Sequence, residues 1–145
     1  MSQIDRRLRG CNYELQIAEK LTRAGIYVSL PLLDCGADLI VTDKDHKKFI
    51  AVQVKGYKKE SSIVLTRKAQ NNYKDRNFIL AFVVESGKGS GTYYISYSEW
   101  DRLAVDRKRA DGKRYIKLGD KARVEKYRGD RGLKRAFRKL LPAGA

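Results

Sequence analysis

The sequence predicts an α/β fold with a mixed central β-sheet flanked by helices, and three observations carry that expectation. First, Asn12 to Ala24 places Glu14, Ile17, Ala18 and Leu21 at i, i+3, i+4 and i+7, a helical period. Second, the apolar runs ADLIVTD, FIAVQVKGY and FILAFVVE are short, rich in β-branched residues and bounded by polar turns, as strands are. Third, helical patterns return after Tyr97, so helices flank the strands rather than separating into a block of their own.

Taken in order, a basic N-terminal arm precedes the first helix, and Gly25 stands where a helix C-terminus favours glycine. IYVSLPLL reads as a first strand, with Pro31 marking its end or an edge, and a turn follows at Asp34 to Gly36. ADLIVTD and FIAVQVKGY, joined by the polar DKDHKK, form a hairpin. SSIVLT and FILAFVVE read as further strands, the second apolar enough for a sheet centre, while RKAQNNYKDRN between them fits either helix or loop. GKGSG is a loop, TYYISY an alternating strand, and Ser98 opens the helix SEWDRLAVDRKR. A short strand KRYIKL and a basic helix LKRAFRKLL, ended by Pro142, complete the chain. Leu133, Phe137, Leu140 and Leu141 share that last helix's apolar face. One unit, residues 1–145, is expected, with a core over about residues 9–97 and a basic extension over about 98–145.

With 145 residues, 42% of them hydrophobic and 34% charged, the composition is that of a folding domain. No apolar run reaches the roughly 18 residues of a membrane helix, and the polar start MSQIDRRLRG is no secretory signal. A cytoplasmic, nucleoid-associated protein is expected. Cys11, Cys35 and the single His46 make no zinc set, so both cysteines read as reduced structural thiols. The chain holds 32 Lys and Arg against 17 Asp and Glu, a net of +15 that attracts polyanions. Residues 1–100 carry 16 basic and 11 acidic side chains, whereas 101–145 carry 16 and 6, so the C-terminal third is the more phosphate-seeking part.

Four residues break their local patterns or complete a chemical set. Glu14 lies on the inward face of the first helix, and Asp38 interrupts the apolar strand GADLIV; each needs a cation, a metal or hydrogen bonds if buried. Strand alternation puts Ile50, Val52 and Val54 on one face of the third strand and Ala51, Gln53 and Lys55 on the other. Individually, Glu14 also fits a helix's first turn, Asp38 a turn acceptor near Gly36, and Lys55 a solvated strand end. Together, two carboxylates, an amide oxygen and a lysine converging from a helix and two strands make a coherent site.

Here the sequence resembles the PD-(D/E)XK nuclease superfamily, over roughly residues 9–57. The helix glutamate resembles Glu14 in RGCNYELQIAEKL, the strand aspartate Asp38 in GADLIV, and the (D/E)-X-K element Gln53-Val54-Lys55 in AVQVKG. The RG-x-x-x-E start is similar to archaeal Holliday-junction resolvases, and the glutamine variant to small homing endonucleases. Ala37 replaces a frequent proline, and Gln53 a usual acid, so the amide would contribute an oxygen but no charge.

The resemblance implies a restriction-endonuclease-like core and a Mg²⁺-dependent deoxyribonuclease, with Mn²⁺ able to substitute. It assigns catalysis to Glu14, Asp38, Gln53 and Lys55, metal ligation to Asp38, Gln53 and Glu14, and nucleophile positioning to Lys55. DNA contacts fall to Arg9, Lys58, Arg131, Lys134, Arg135, Arg138 and Lys139, with Tyr57 beside them. A homodimer or homotetramer follows if both strands of a duplex are cut. The alternatives are a non-catalytic nucleic-acid-binding module on the same fold and a basic RNA-associated protein whose acids are structural.

Overall fold

The computed structural model describes residues 2–33, 36–59, 62–74, 77–108 and 110–144. Helix α1 spans Gln3–Arg23, so the basic N-terminal arm is helical. Its start is fixed by a reciprocal cap: the Ser2 hydroxyl accepts from the Asp5 N–H, and the Asp5 carboxylate accepts from the Ser2 N–H. Strands β1 (Tyr27–Ser29), β2 (Leu39–Thr42) and β3 (Phe49–Lys59) then form an antiparallel meander. β1 stops two residues before Pro31, shorter than IYVSLPLL suggested, and Asp34 and Cys35 of the expected turn lie outside the described residues.

Strand β4 (Ser62–Leu65) leaves the main sheet, and the ambiguous RKAQNNYKDRN yields helix α2 (Arg67–Tyr73), capped by the Thr66 hydroxyl. β5 (Phe78–Ser86) returns parallel to β3, and β6 (Gly91–Ser96) pairs antiparallel with β5. The sheet order is β1-β2-β3-β5-β6, a mixed sheet with β3 and β5 inside. Helix α3 (Tyr97–Leu103) is capped by Ser96 rather than Ser98, because it is the Ser96 hydroxyl that accepts from the Glu99 N–H. It ends at Leu103, where the chain extends into β7 (Val105–Asp106). A second sheet, in the order β4-β8-β7, is built with β8 (Arg114–Lys117). Helix α4 (Lys121–Val124), a 3-10 turn at Glu125–Tyr127 and helix α5 (Gly129–Ala136) follow.

The sheet separates two apolar layers. On one face Ile50, Val52 and Val54 of β3 meet Tyr13, Ile17 and Leu21 of α1, with Leu133 and Phe137 of the α5 segment beside them. On the other, Leu80 and Phe82 of β5 pack with Tyr73, Trp100, Ile116 and Tyr127. Ile17, Leu21, Val52, Phe82, Trp100 and Phe137 are fully buried, each removing about 1.5–3 kcal/mol or more of apolar exposure from water. One contact sets how α1 lies on β3. A β-carbon on Gly56 would come within 2.0 Å of the Tyr13 ring, so glycine is required for this close approach. Cys11 is a free but exposed thiol, not a packed one, and Cys35 lies outside the described residues. Among the described residues no helix is long and apolar enough to cross a membrane.

Candidate active site

Asp38 sits immediately before β2, at the point where the antiparallel ladder with β3 opens. Its N–H donates to the Val52 carbonyl at 2.9 Å, and the Leu39–Val52 register sets it opposite Gln53. One carboxylate oxygen, Oδ2, accepts from Gln53 Nε2 at 2.6 Å and from the Val54 N–H at 2.8 Å. The side chain thus takes the place of a ladder carbonyl and is held by the strand that carries the other candidate residues. Strand alternation puts Gln53 and Lys55 on one side of β3, about 6.6 Å apart along the strand. They share the face of Ala51 and Tyr57, which pack on the layer of Tyr73 and Trp100. Lys55 is half-buried beside Phe82 of β5 and has no ion pair among the described residues.

Glu14 comes to this cluster from α1. The neighbouring Tyr13 lies over Gly56 and donates its hydroxyl to Glu85 Oε1 at 3.0 Å, which anchors this part of the helix against the ends of β3 and β5. Glu14 is half-buried, and burial raises its pKa above the ordinary value. Asp38 raises it further, through its negative charge and through a hydrogen bond between the two carboxyl groups. Such a bond needs a proton on one partner, and among the described residues no cation lowers the Glu14 pKa. Glu14 and Asp38 are thus near neighbours whose negative charges oppose one another.

Tyr73 is a member of the cluster that sequence reasoning missed. It projects from α2 into the layer below β3, with its ring centroid 4.7 Å from that of Phe78. Its phenol is pushed up to about 12, first by burial and then by the charge of Asp38. Its segment was ambiguous in sequence; the available signal was the cap at Thr66, whose hydroxyl accepts from the Ala69 N–H.

The donor set consists of two carboxylates and a carboxamide. Among the described residues no group of three or more His, Cys, Asp or Glu side chains gathers as a metal centre. Oxygen donors of this kind suit a hard divalent ion held by one or two carboxylates, and the Glu14–Asp38 contact is one such an ion would relieve. Gln53 turns its amide nitrogen to Asp38, whereas the sequence reading turned its oxygen toward a cation. A rotation about the last side-chain bond would present that oxygen.

The residues expected to touch DNA divide. Arg9 lies one turn before Tyr13 on the same helix face, close enough for its charge to act on the phenol. Lys58 is exposed near the end of β3, but alternation turns it to the opposite face from Lys55. Arg131, Lys134, Arg135, Arg138 and Lys139 are exposed along α5 and the turn after it. The structure does not bring them to Asp38. Leu133 and Phe137 of that segment pack on the α1 face of the sheet, while Gln53 and Lys55 point to the other.

No protein-family model matches the sequence, and no curated protein matches it. Among solved structures that match is Hjc, a Holliday junction resolvase from the archaeal hyperthermophile Archaeoglobus fulgidus. It is 12% identical with a TM-score of 0.53, over 75% of this chain and 84% of that one. At that identity the likeness is one of architecture: the mixed sheet flanked by helices is the fold that this resolvase also has.

Proposed function

We propose that the chain is a divalent-metal-dependent DNA endonuclease of the PD-(D/E)XK type, acting on branched DNA such as a four-way junction. The observation that carries this is the hydrogen bond of the Asp38 carboxylate with Gln53, with Glu14 near enough to feel the Asp38 charge, on a β3 face that also bears Lys55, which has no ion pair among the described residues. The likeness to a Holliday junction resolvase favours the junction over a homing site. Asp38, Glu14 and the Gln53 amide oxygen would hold Mg²⁺, with Mn²⁺ as a substitute. When bound, the ion supplies Lewis-acid stabilisation of the charge that builds on phosphate oxygen. Asp38 is oriented for this by the Val54 N–H, which fixes the carboxylate against β3. Lys55 places a positive charge beside the scissile phosphate and holds the attacking water.

A symmetric pair of chains would supply two sites for the two strands of a duplex. Ile4, Leu8 and Leu15 on α1, with Leu30, Leu32 and Leu33 after β1, are exposed and support a homodimer. Leu8→Glu with Leu15→Glu should then halve the mass measured by light scattering.

The decisive assay follows cleavage of junction, linear and supercoiled DNA over a Mg²⁺ titration. Asp38→Ala and Lys55→Ala should each reduce the rate by about 10²-fold or more while gel-shift affinity in EDTA stays near native. No cleavage of any substrate by the native chain would favour the binding module. That second reading draws on the Gln53 amide, which donates to Asp38 and adds no negative charge where an acid would. Native-like cleavage by Asp38→Ala would remove the site altogether.

A further inference from the structure

Several arginines elsewhere in the structure have acidic partners: Arg23 with Glu19, Arg114 with Asp101, Arg123 with Asp120 and Arg128 with Glu125. In the α5 segment such pairs are few. Arg135 pairs with Glu99 at 2.7 Å, yet Arg131, Lys134, Arg138 and Lys139 have no ion pair among the described residues. Arg131, Lys134 and Arg138 are spaced three and four residues apart, with Lys139 next to Arg138, so like charges crowd along α5 and the turn that follows it and repel. Lys126 and Arg135 add to the patch, held over the Tyr127 ring at 5.2 and 5.7 Å. Lys126, Arg131, Lys134, Arg135 and Arg138 line a concavity of about 640 Å³ in which Asp130 is the sole acid among the described residues.

This patch is set apart from the candidate active site. Leu133 and Phe137 root α5 in the α1 layer and Arg135 reaches Glu99 and the Tyr127 ring of the other layer, while Gln53 and Lys55 project from the face opposite α1. It also borders the start of β3: Arg138 and Lys139 line a hollow with Ile50, and Lys48 Nζ donates to the Lys139 carbonyl at 3.5 Å. From Ile50 to Lys55 the strand advances about 16 Å. The α5 cations therefore stand apart from the Gln53–Lys55 face.

We propose that the α5 patch is a second nucleic-acid surface, which grips the phosphates of a duplex segment other than the one being cut. This rests on the nuclease reading for its ligand, since a branched DNA offers more than one arm. The patch presents cations and no dedicated base-reading pocket, so it contributes affinity independent of sequence.

The test compares the native chain with the variant Arg131→Gln/Lys134→Gln/Arg138→Gln, folded by thermal melt, in EDTA so that no DNA is cut. Titrated with a short linear duplex, the native chain should take up one more duplex per chain than the variant. The additional binding should weaken with salt with a slope of about −2 to −3, from roughly 0.9 per phosphate contact. Restoring charge with Arg131→Lys/Arg138→Lys alone should keep the extra duplex. Equal stoichiometry in native and variant overturns the proposal, as does extra uptake specific to an RNA duplex. A native chain that cleaves junctions yet shows equal stoichiometry sinks only this inference. One that binds no DNA sinks the nuclease reading with it.

Discussion

Gly56→Ala is a one-carbon change whose consequences can be followed from a ring to a reaction. The added β-carbon would lie 2.0 Å from two carbons of the Tyr13 ring, where ordinary contact begins near 3.4 Å, so the ring or the strand must yield by more than an ångström. The ring has little freedom to do so. It is 3% exposed, its hydroxyl is bonded to Glu85, and Ile17 and Leu21 on the next turns of α1 are fully buried. Overpacking of this kind costs about 1–3 kcal/mol, and loss of the Tyr13–Glu85 hydrogen bond adds about 1 kcal/mol. For a chain of this size that is a fall in Tm of roughly 5–15 °C. Because Glu14 follows Tyr13, lifting α1 also withdraws Glu14 from Asp38. A displacement of about 1 Å at such a site is enough to reduce turnover about 10²-fold. Thermal melts in EDTA and a Mg²⁺-titrated junction-cleavage assay read the two effects. Tyr13→Leu in the Gly56→Ala background should recover part of the melting temperature by removing the clash. Gly56→Ala with native Tm and native cleavage would refute the close approach as the device that places Glu14.

Three further outcomes follow from the same geometry. Glu14 has a raised pKa, so the folded chain binds its proton more tightly than the unfolded one; stability from this group is full below about pH 4.5 and declines as pH rises through the folded value. In EDTA, Glu14→Gln should flatten that decline and melt higher at neutral pH, while losing cleavage; an unchanged pH profile would place Glu14 outside the cluster. Tyr73 ionises in the unfolded chain near 10 but at about 12 when folded, so stability should fall by about 1.4 kcal/mol per pH unit across that window. Tyr73→Phe should remove this part of the alkaline slope, and an equally steep slope in the variant would count against its burial. Gly10 stands in the middle of α1 with nothing within 4 Å of where a β-carbon would be, so Gly10→Ala should stabilise by about 1 kcal/mol in a denaturant titration; destabilisation would mean that position is packed.

What the sequence revealed, and what it hid, separates along the range of the interactions. The alternation of Ile50, Val52 and Val54 against Gln53 and Lys55 is a property of one strand, and the short DKDHKK connection predicts its antiparallel partner. The adjacency of Asp38 and Gln53 follows from these local facts. The first half of α1 was obscured because its helicity comes from the Ser2 cap and from Tyr13 meeting Gly56 far along the chain. SSIVLT reads as a strand, but nothing in it specifies that Ile63 pairs with Ile116 in a second sheet. Tyr73 comes within range of the Asp38 charge only because α2 packs it against Phe78 in the second apolar layer. The charge of the C-terminal third was visible as composition, whereas its placement on the far face depends on Leu133 and Phe137 choosing the α1 layer.

Gln53 is where the chain's departure from the motif it resembles becomes a physical statement. Its amide donates to Asp38 Oδ2 at 2.6 Å, so the position an acid would occupy supplies a hydrogen-bond donor to the carboxylate. Gln53→Glu replaces that donor with a third negative charge beside Asp38 and close to Glu14. Losing a hydrogen bond to a charged group costs about 1.5–3 kcal/mol, before the added repulsion is counted. In EDTA the variant should therefore melt several degrees below the native chain, and its deficit should shrink at acid pH as the carboxylates take up protons. A divalent ion reverses the sign, because three charges hold it more tightly than two, so Mg²⁺ should raise the Tm of Gln53→Glu by more than it raises that of the native chain. Gln53→Leu lacks both the donor and the oxygen, and should lose stability in EDTA and gain less from Mg²⁺ than the native chain. Calorimetric melts of the three proteins with EDTA and over a Mg²⁺ series provide the comparison. If Gln53→Glu melts at the native temperature in EDTA and gains nothing from Mg²⁺, the Gln53–Asp38 hydrogen bond is not what sets the charge balance of this site.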